Sequence, residues 1–410
     1  MQSPFKDLPR EISILVAASF FVAVGFGIVL PAIPVFARSF GVNNAAIGLI
    51  VSMFAITRFA SGLISGKLVD LFGERAVFSS GVFMVAVFVF LAGMATNYHQ
   101  LLFFRAAGGL GSSMFSVAAG SVIMRSVDDE HRGRAQSVYN GAFLVGGVSG
   151  PAIGGLLSLI SLRAPFFAYS AMLLVSGTVA HFFLRSEKIG KKKESADTSH
   201  QTTVREALGM APYRIALALG FIVNWVVFGM RSSIMPIFVT EELKSTTAVV
   251  GFGFTLSAIF QGALLLRGGR ISDAKGRRFA AVVGSSITLI GVLFLTFAVH
   301  PWMYLFSMSI IGIGGAYLST TPSSIVGDII RGRGGQVIAI FQMAGDAGMI
   351  VGPLIIGALA DAYSYRTAFA VSAFVFAIGA FLTTRIPETR ESYLANKGEG
   401  PQVNNLRPLD

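Results

Sequence analysis

The sequence predicts an all-α membrane protein whose twelve transmembrane helices form two pseudo-symmetric six-helix bundles. An apolar composition, a series of long apolar runs and an internal repeat predict this fold class. Of the 410 residues, 53% are hydrophobic and 13% are charged, and the mean hydropathy is +0.70, whereas a soluble domain carries about 25% charged residues. The composition therefore excludes a soluble enzyme, a nucleic-acid-binding domain and a disordered chain.

Twelve apolar runs are long enough to cross a bilayer, since one transmembrane helix takes about 20 apolar residues. The first run is too long and too rich in Gly and Pro for a signal peptide, so we expect it to remain in the mature protein. The predicted spans are 11–36, 45–66, 76–96, 101–124, 135–157, 164–185, 213–238, 247–267, 279–299, 302–327, 336–359 and 366–386.

Lysine and arginine concentrate in alternate connections between these spans. The positive-inside rule assigns such connections to the cytoplasm, and both termini lie on the same side as these connections. The opposite connections hold only Arg38, Arg163, Lys244 and Arg366. The net charge of +11 is therefore attributed to cytoplasmic loops of a multi-pass protein and not to nucleic-acid binding.

A polar, charged segment, 186–212, separates two groups of six spans. We expect it to be a flexible cytoplasmic linker. It would join an N-terminal bundle, 1–185, to a C-terminal bundle, 213–386, which a cytoplasmic tail, 387–410, follows.

Cysteine is absent and the five histidines are scattered along the chain. Disulfides, thiol catalysis and a metal site are therefore not expected. The sequence has no nucleotide-binding loop, which argues against a primary pump. We expect no cofactor and no enzymatic activity.

The chain repeats itself at an offset of 202 to 203 residues. The segment 66–75, GKLVDLFGER, matches the segment 269–278, GRISDAKGRR. Matches in nearly the same register predict a duplicated six-helix unit with parallel halves, as in transporters built around a central site. The further matches pair Gly27 and Pro34 with Gly229 and Pro236, Gly109 and Gly111 with Gly312 and Gly314, and Gly150-Pro151 with Gly352-Pro353.

The loop pattern G-x-x-x-D-x-x-G-x-R, the twelve spans, the duplication and the long central segment resemble the major facilitator superfamily across essentially the whole chain. The resemblance implies a monomeric secondary transporter in a bacterial or archaeal cell membrane, with protons and a small molecule as its partners. It also implies that spans 1, 4, 7 and 10 line the cavity and that spans 2, 5, 8 and 11 form the interface between the halves.

The repeated loop is expected to gate the cytoplasmic side. An acid at a membrane edge can lie against a helix N-terminus, whose dipole favours negative charge, and the resemblance pairs the first loop with span 11 and the second with span 5. Leu71 and Glu74 stand at positions that are often basic in the family, so we expect the contact between the first loop and span 11 to be weaker. A generic basic loop that only sets topology is the alternative. The gating residues are Gly66, Asp70, Gly73 and Arg75, with Gly269, Asp273, Gly276 and Arg277 in the second copy.

Span 5 contains the sequence GGVSGPAIGG at 146–155, which resembles the G-x-x-x-G-P-x-x-G-G motif typical of the family's antiporters. Small residues four apart let helices approach closely, and proline kinks a helix. The motif therefore favours export, while simple packing with no bearing on direction is the alternative. Its gating residues are Gly146, Gly150, Pro151, Gly154 and Gly155.

Ionisable residues within the spans are functional candidates by default. Asp346 is the one clear mid-membrane acid, and we expect it to carry the proton, with Arg58 as its partner in one conformation. A permanent ion pair is the alternative role. Arg105 begins a segment, RAAGGLG, that resembles the family's R-x-x-q-G-x-g motif, and it either holds a carboxylate charged or binds an anionic substrate; a structural arginine bonded to backbone carbonyls is equally consistent.

Polar and aromatic residues of the spans are candidates for substrate contact, although phenylalanine is so abundant that any one ring is more often lipid-facing. The candidates are Phe26, Met114, Tyr139, Asn140, Asn224, Trp225, Phe228, Arg231, Gln261 and Tyr317.

The sequence therefore predicts proton-coupled efflux of small amphiphilic organic molecules by alternating access. A facilitator-family importer or symporter of a small organic acid or other metabolite is the alternative. A channel would need a continuous polar pore and a membrane-embedded enzyme a catalytic cluster, and neither pattern is present in the sequence. Because span 1 holds no deep acid, neutral, zwitterionic or anionic substrates are favoured over permanent cations.

Overall fold

The computed structural model describes residues 9–127, 129–184, 202–329 and 335–389. Every regular element in these ranges is a helix. Within these ranges, eleven helices are long and apolar enough to cross a membrane, and one bent pair brings the number to twelve when it is counted as a single span. The all-α, membrane-spanning prediction is confirmed.

The chain divides into two compact units. The first comprises Met1–Glu194 with Met235–Thr255, and the second comprises Ser195–Ile234 with Leu256–Asp410. The segment Met235–Thr255 thus belongs to the first compact unit, although the repeat assigns it to the second half of the sequence.

The first unit contains eight complete helices before residue 184, and α2 continues the direction of the first span. Helices α3 and α4 are the bent pair, with an angle of 48° at Ser61. The Ser61 hydroxyl donates to the carbonyl of Thr57 at 2.7 Å, a back-bond of the kind that bends helices. The helices are α1 (Arg10–Val29), α2 (Ala32–Arg38), α3 (Asn44–Ala60), α4 (Gly62–Phe72), α5 (Glu74–Met94), α6 (Tyr98–Ser126), α7 (Asp129–Ile160) and α8 (Ala164–Phe183).

The remaining helices begin after the central segment. They are α9 (Val204–Gly209), α10 (Ala211–Asn224), a π-helix (Trp225–Ile234), α11 (Met235–Glu241), α12 (Thr247–Lys275), α13 (Arg277–Thr296), α14 (Pro301–Leu318), α15 (Thr321–Ile329), α16 (Gly335–Ala362) and α17 (Tyr365–Thr384).

The π-helix interrupts the seventh span. Pro236 cannot donate a backbone hydrogen bond, and the Ser232 hydroxyl donates to the carbonyl of Val227, five residues back, at 2.8 Å. The Ser233 hydroxyl donates to the carbonyl of Gly229. Both hydroxyls thus bond to carbonyls within the π-helix, and π segments often accompany functional sites.

The central segment 186–212 is described from residue 202 onward. Its end is a short helix, α9, closed by a capping box: Thr203 Oγ1 accepts from Glu206 N, and Glu206 Oε2 accepts from Thr203 N. Ala207 of this helix packs with Tyr213 in a buried apolar cluster of the second unit. The part of the predicted linker nearest α10 is therefore ordered helix anchored to that unit.

Candidate transport site

Close packing of α6 against α3 positions Arg105. Gly109 lies one helical turn after Arg105, and a Cβ there would overlap the Thr57 hydroxyl and lie 2.5 Å from the carbonyl oxygen of Phe54. Thr57 Oγ1 donates to the carbonyl of Ala106 at 2.7 Å. Only glycine permits this approach, which brings the Phe54 ring centroid to 4.6 Å from Arg105 Cζ.

The Arg105 guanidinium is buried beside aromatic side chains. The residue is 6% exposed, and its Nε has no hydrogen-bond partner among the described residues. The Tyr169 phenol lies within electrostatic range of the guanidinium, and the Phe26 ring meets the Tyr169 ring edge-on with centroids 6.4 Å apart. We call Arg105, Phe54, Tyr169 and Phe26 the Arg105 cluster.

A second arginine of the first unit, Arg58, lies half-buried on α3. The Tyr139 phenol of α7 is within its electrostatic range and lies beside Ser19 of α1. Two predicted residues from different spans are thus brought together, while the side chain of Asn140, which follows Tyr139, is outside the described part of the chain.

The second unit holds a comparable pair. Arg231 of the π-helix lies within electrostatic range of the Tyr304 phenol of α14, and Tyr304 is fully buried. Each unit therefore contains an arginine that faces a buried tyrosine from another span.

Trp225 and Asn224 lie at the junction of α10 and the π-helix. The indole Nε1 of Trp225 donates to Ser372 Oγ of α17 at 3.4 Å, and Asn224 Nδ2 donates to the carbonyl of Gly220 at 2.9 Å. A Cβ at Gly345 of α16 would lie 2.9 Å from Asn224 Nδ2. Asp346, the next residue, is half-buried, so the predicted proton carrier lies near the π-helix junction.

The other predicted substrate contacts with described side chains are Met114, Tyr317, Gln261 and Phe228. Cβ atoms built at Gly81 of α5 and Gly284 of α13 would lie 2.8 Å from the Cβ atoms of Met114 and Tyr317 respectively. Gln261 of α12 lies beside Gly315 of α14, and Phe228 is half-buried in the π-helix. Met114 and Tyr317 therefore pack against the neighbouring helices α5 and α13.

The glycines of α7 pack directly on α1. Cβ atoms at Gly146, Gly150 and Gly154 would overlap the backbone of Ala23, Val24 and Ile28 respectively. Because each contact involves main-chain atoms, no side chain could move aside to admit a Cβ. The predicted close approach is present, and its partner is α1.

The other side of α7 contacts the beginning of α12 within the first unit. The backbone N–H of Ala152 donates to Thr255 Oγ1 at 3.0 Å, next to the kink-forming Pro151. A Cβ at Gly155 would lie 2.7 Å from the carbonyl of Thr247, and one at Gly251 would overlap the carbonyl of Pro151. The glycine–proline segment is therefore packed from two sides.

The first loop motif makes its turn at Gly73, which has φ +82°. A Cβ at Gly66 would meet no described atom within 4 Å, so helix packing does not require glycine at this position. Glu74 Oε1 accepts from Ser121 Oγ at 3.0 Å, Arg75 is half-buried, and Asp70 is exposed. Glu74, which stands where the family often has a basic residue, thus links α5 to α6 through this hydrogen bond.

The second loop motif makes the corresponding turn at Gly276, with φ +98°, while Gly269 again faces open space. Arg277 Nε donates to Asp328 Oδ2 at 3.0 Å. The Glu388 carboxylate accepts from the backbone N–H groups of Arg277 at 2.8 Å and Arg278 at 3.2 Å, and so caps α13. The side chain of Asp273 is outside the described part of the chain.

An ion pair joins the ends of α2 and α11. Arg38 Nε and Nη2 donate to the two carboxylate oxygens of Glu241 at 2.6 and 2.9 Å. Arg38 also donates to the carbonyl of Val42 at 2.8 Å and to Asn44 Oδ1 at 3.2 Å.

A sequence profile described as Major Facilitator Superfamily matches residues 15–230 and 217–408. The chain belongs to this superfamily. This facilitator is therefore a transporter and not an enzyme.

Relatives of this facilitator include proteins named for drug resistance. It is 26% identical over 387 residues to Multidrug resistance protein 1 of Bacillus subtilis, and the aligned residues make up 91% of this chain and 95% of that protein. It is 26% identical over 389 residues to Multidrug resistance protein MdtG of Salmonella choleraesuis, covering 90% and 94%. An uncharacterised facilitator-type transporter of Methanocaldococcus jannaschii is 24% identical over 375 residues, covering 90% and 96%.

Solved structures share the fold of this facilitator. A bacterial homologue of the human lysosomal transporter Spinster aligns with a TM-score of 0.77 and 16% identity, covering 92% of this chain and 97% of that chain. The nucleoside transporter NupG aligns with a TM-score of 0.69 and 14% identity, covering 92% and 100%.

Several residues that contact the predicted site residues were not among the candidates from the sequence. Tyrosine is scarce, with nine residues in the chain, and a tyrosine within an apolar run is a polar signal that could have pointed to Tyr169 and Tyr304. No local pattern distinguishes Phe54 or Ser372 from their neighbours, because their importance depends on which helix packs against them.

Proposed function

We propose that this facilitator exports small amphiphilic organic molecules in exchange for protons, by alternating access. The names of the relatives from Bacillus and Salmonella support the substrate class. The proposal places the chain in a bacterial or archaeal cell membrane as a monomer, with both termini in the cytoplasm.

The observation that carries the proposal is the packing of the glycine–proline segment of α7. Gly150 contacts α1, while Pro151 and Gly155 contact the beginning of α12. A kinked helix whose main chain is packed on two sides leaves little room for a leak at that level. Tight closure of this kind is what an exchanger needs, because an open path would dissipate the proton gradient.

Asp346 is proposed as the proton carrier, with Arg58 as its partner in one conformation. A nearby cation holds a carboxylate charged, whereas a carboxylate without one in a dry site takes up a proton. Protonation would then be tied to the change between states. Asp70 and Asp273 are proposed to latch the cytoplasmic side, so Asp70→Asn should lower turnover with little change in substrate affinity.

Transport in opposed proton gradients tests the proposal. Purified protein in liposomes with an acidic lumen should accumulate the permanently charged anionic dye 8-anilinonaphthalene-1-sulfonate if protons leave as substrate enters. Accumulation only in liposomes with an alkaline lumen would instead show symport. Protein-free liposomes in the same gradients control for passive partition of the dye.

Asp346→Asn should abolish accumulation driven by the proton gradient while gradient-free exchange of labelled for unlabelled dye continues. Arg58→Ala should shift the pH dependence of accumulation. If the Asp346→Asn protein accumulates dye as the wild type does, the carboxylate is structural and the coupling assignment is wrong.

The orientation is tested with a single cysteine, since the chain has none. Ser195→Cys, in the part of the central segment outside the described residues, should not react with an impermeant maleimide applied to intact cells. It should react once the membrane is opened. Labelling of intact cells would reverse the proposed topology.

Import of a small organic acid is the second candidate. The arginines at positions 58, 105 and 231 against a single mid-membrane acid favour an anionic cargo but do not indicate its direction. The same liposome assay separates this candidate from the first.

A further inference from the structure

The positive charge of Arg105 has no acidic partner within the spans of its own half. The stretches 12–69, 75–127 and 131–186 contain no aspartate or glutamate. Arginine remains charged under all ordinary conditions, and buried charges are normally paired. The counter-charge for Arg105 must therefore come from outside these stretches.

The surroundings of Arg105 offset the free-energy cost of burying its charge only in part. The Phe54 ring lies at cation–π distance, 4.6 Å, which favours the charge on one face. Nε nevertheless has no hydrogen-bond partner among the described residues. A buried donor that lacks an acceptor is costly, so a ligand that supplies an acceptor would be bound favourably.

The cluster also has the composition of a binding site for an aromatic anion. Arg105 is seven residues into α6, about 10 Å from its first turn at a rise of about 1.5 Å per residue. Phe54 and Tyr169 are 6% and 3% exposed, and Phe26 is half-buried. A half-buried aromatic ring next to a buried cation and a phenol can contact an apolar body and an anionic group of one molecule.

We propose that Arg105, with Phe54, Tyr169 and Phe26, binds the anionic group of an aromatic amphiphile, a sulfonate or carboxylate. The guanidinium donates to the anion, the Tyr169 hydroxyl donates a further hydrogen bond, and Phe26 packs on the aromatic body. This assignment names the substrate class of the proposed exporter and in that respect rests on the proposed function.

The test compares three probes that share one aromatic body and differ in charge. Naphthalene-2-sulfonate is the anion, naphthalene-2-sulfonamide the neutral analogue and 2-naphthylmethyl-trimethylammonium the cation. Titration calorimetry with purified protein in phosphatidylcholine nanodiscs should show tightest binding of the sulfonate. Its preference over the sulfonamide should be about tenfold to a hundredfold, the range of a hydrogen bond to a charged group.

Arg105→Gln should reduce this preference to near unity, and Arg105→Lys should retain part of it because the charge remains. Tyr169→Phe should weaken sulfonate binding without changing sulfonamide binding. The matched control is Arg163→Gln, because Arg163 also lies over a phenylalanine, Phe36, at 5.8 Å, but donates to the carbonyl of Ala95 at 3.2 Å. The control should leave all three affinities unchanged.

Several outcomes would overturn the assignment. Equal binding of sulfonate and sulfonamide, no saturable binding of the sulfonate, or an equal loss for all three probes in Arg105→Lys would each do so. Loss of the preference when the nanodiscs contain phosphatidylglycerol would show that a lipid headgroup occupies the site. Because binding is measured without a gradient, a negative binding result would not contradict export. A negative transport result would likewise not contradict the binding assignment.

Discussion

Arg38 and Glu241 are joined by two hydrogen bonds across 203 residues of chain, and this separation equals the offset between the two loop motifs. The residues that follow confirm the register, because Gly41 and Lys244 both have positive φ, 76° and 49°, and are also 203 apart. Equivalent positions of the repeat therefore carry opposite charges and contact each other at the ends of α2 and α11.

Neutralising either member of this pair should destabilise the protein modestly. The side chains are 27% and 41% exposed, so the coupling energy from a double-mutant cycle of Arg38→Gln and Glu241→Gln should be about 0.5–1 kcal/mol. Thermal unfolding in detergent at low and high salt measures it, and salt should reduce it. Glu242→Gln, at an exposed neighbouring acid, is the control, and a coupling indistinguishable from zero at low salt would contradict the expectation.

Exchanging the two charges should restore only part of the stability that is lost when either residue is neutralised. In Arg38→Glu with Glu241→Arg, the new carboxylate at position 38 would face the Val42 carbonyl and Asn44 Oδ1, which now accept from Arg38. Full recovery of the unfolding temperature would mean that these two bonds contribute nothing.

Alanine should have opposite effects at the two glycines of the second loop motif. At Gly276 the backbone has φ +98° and an added Cβ would overlap the Glu388 carboxylate, so we expect a loss of about 1–3 kcal/mol. At Gly269, within α12 and facing open space, alanine should add about 0.5–1 kcal/mol through helix propensity. Unfolding temperatures of the two variants provide the comparison, and effects of the same sign would refute it.

The glycines of α7 offer a second matched pair. Gly154→Ala would drive a Cβ into the carbonyl of Ile28, whereas Gly147→Ala would meet nothing within 4 Å. We expect Gly154→Ala to cost about 3 kcal/mol, the upper end of overpacking effects, and Gly147→Ala to be neutral or slightly stabilising. The yield of monodisperse protein and its unfolding temperature report both. Normal stability of Gly154→Ala would mean that α1 and α7 can separate at low cost.

Thr255 should contribute to the stability of the protein through its hydroxyl. Thr255→Val keeps the shape but removes the hydroxyl that accepts from the Ala152 N–H, and the loss of one hydrogen bond costs about 0.5–1.5 kcal/mol. Thr255→Ser keeps the acceptor and should lose less. Equal losses for Val and Ser, measured by thermal unfolding, would assign the effect to the missing methyl group.

Sequence patterns predicted the helices well because a bilayer selects for long apolar runs whatever their partners. The predicted seventh span, 213–238, shows the limit. Hydropathy located the span, but no sequence pattern revealed the π-helix within it or the bonds from the Ser232 and Ser233 hydroxyls to backbone carbonyls.

The site was predicted less completely for a related physical reason. Arg105 and Gly109 are recognisable because both fall within one helical turn of a single segment. Tyr169 joins them only through the rotation of α8 about its axis, and Glu241 reaches Arg38 only through the packing of α11 against α2. Such contacts between helices leave no periodic signal in the sequence.

The backbone contact between α1 and α7 has a consequence for movement. Packed helices shift past each other by small sliding motions of interleaved side chains, but Gly146, Gly150 and Gly154 leave no such layer between these two helices. We therefore expect a displacement of α7 to carry α1 with it, so that Phe26 and Tyr139, one on each helix, move together.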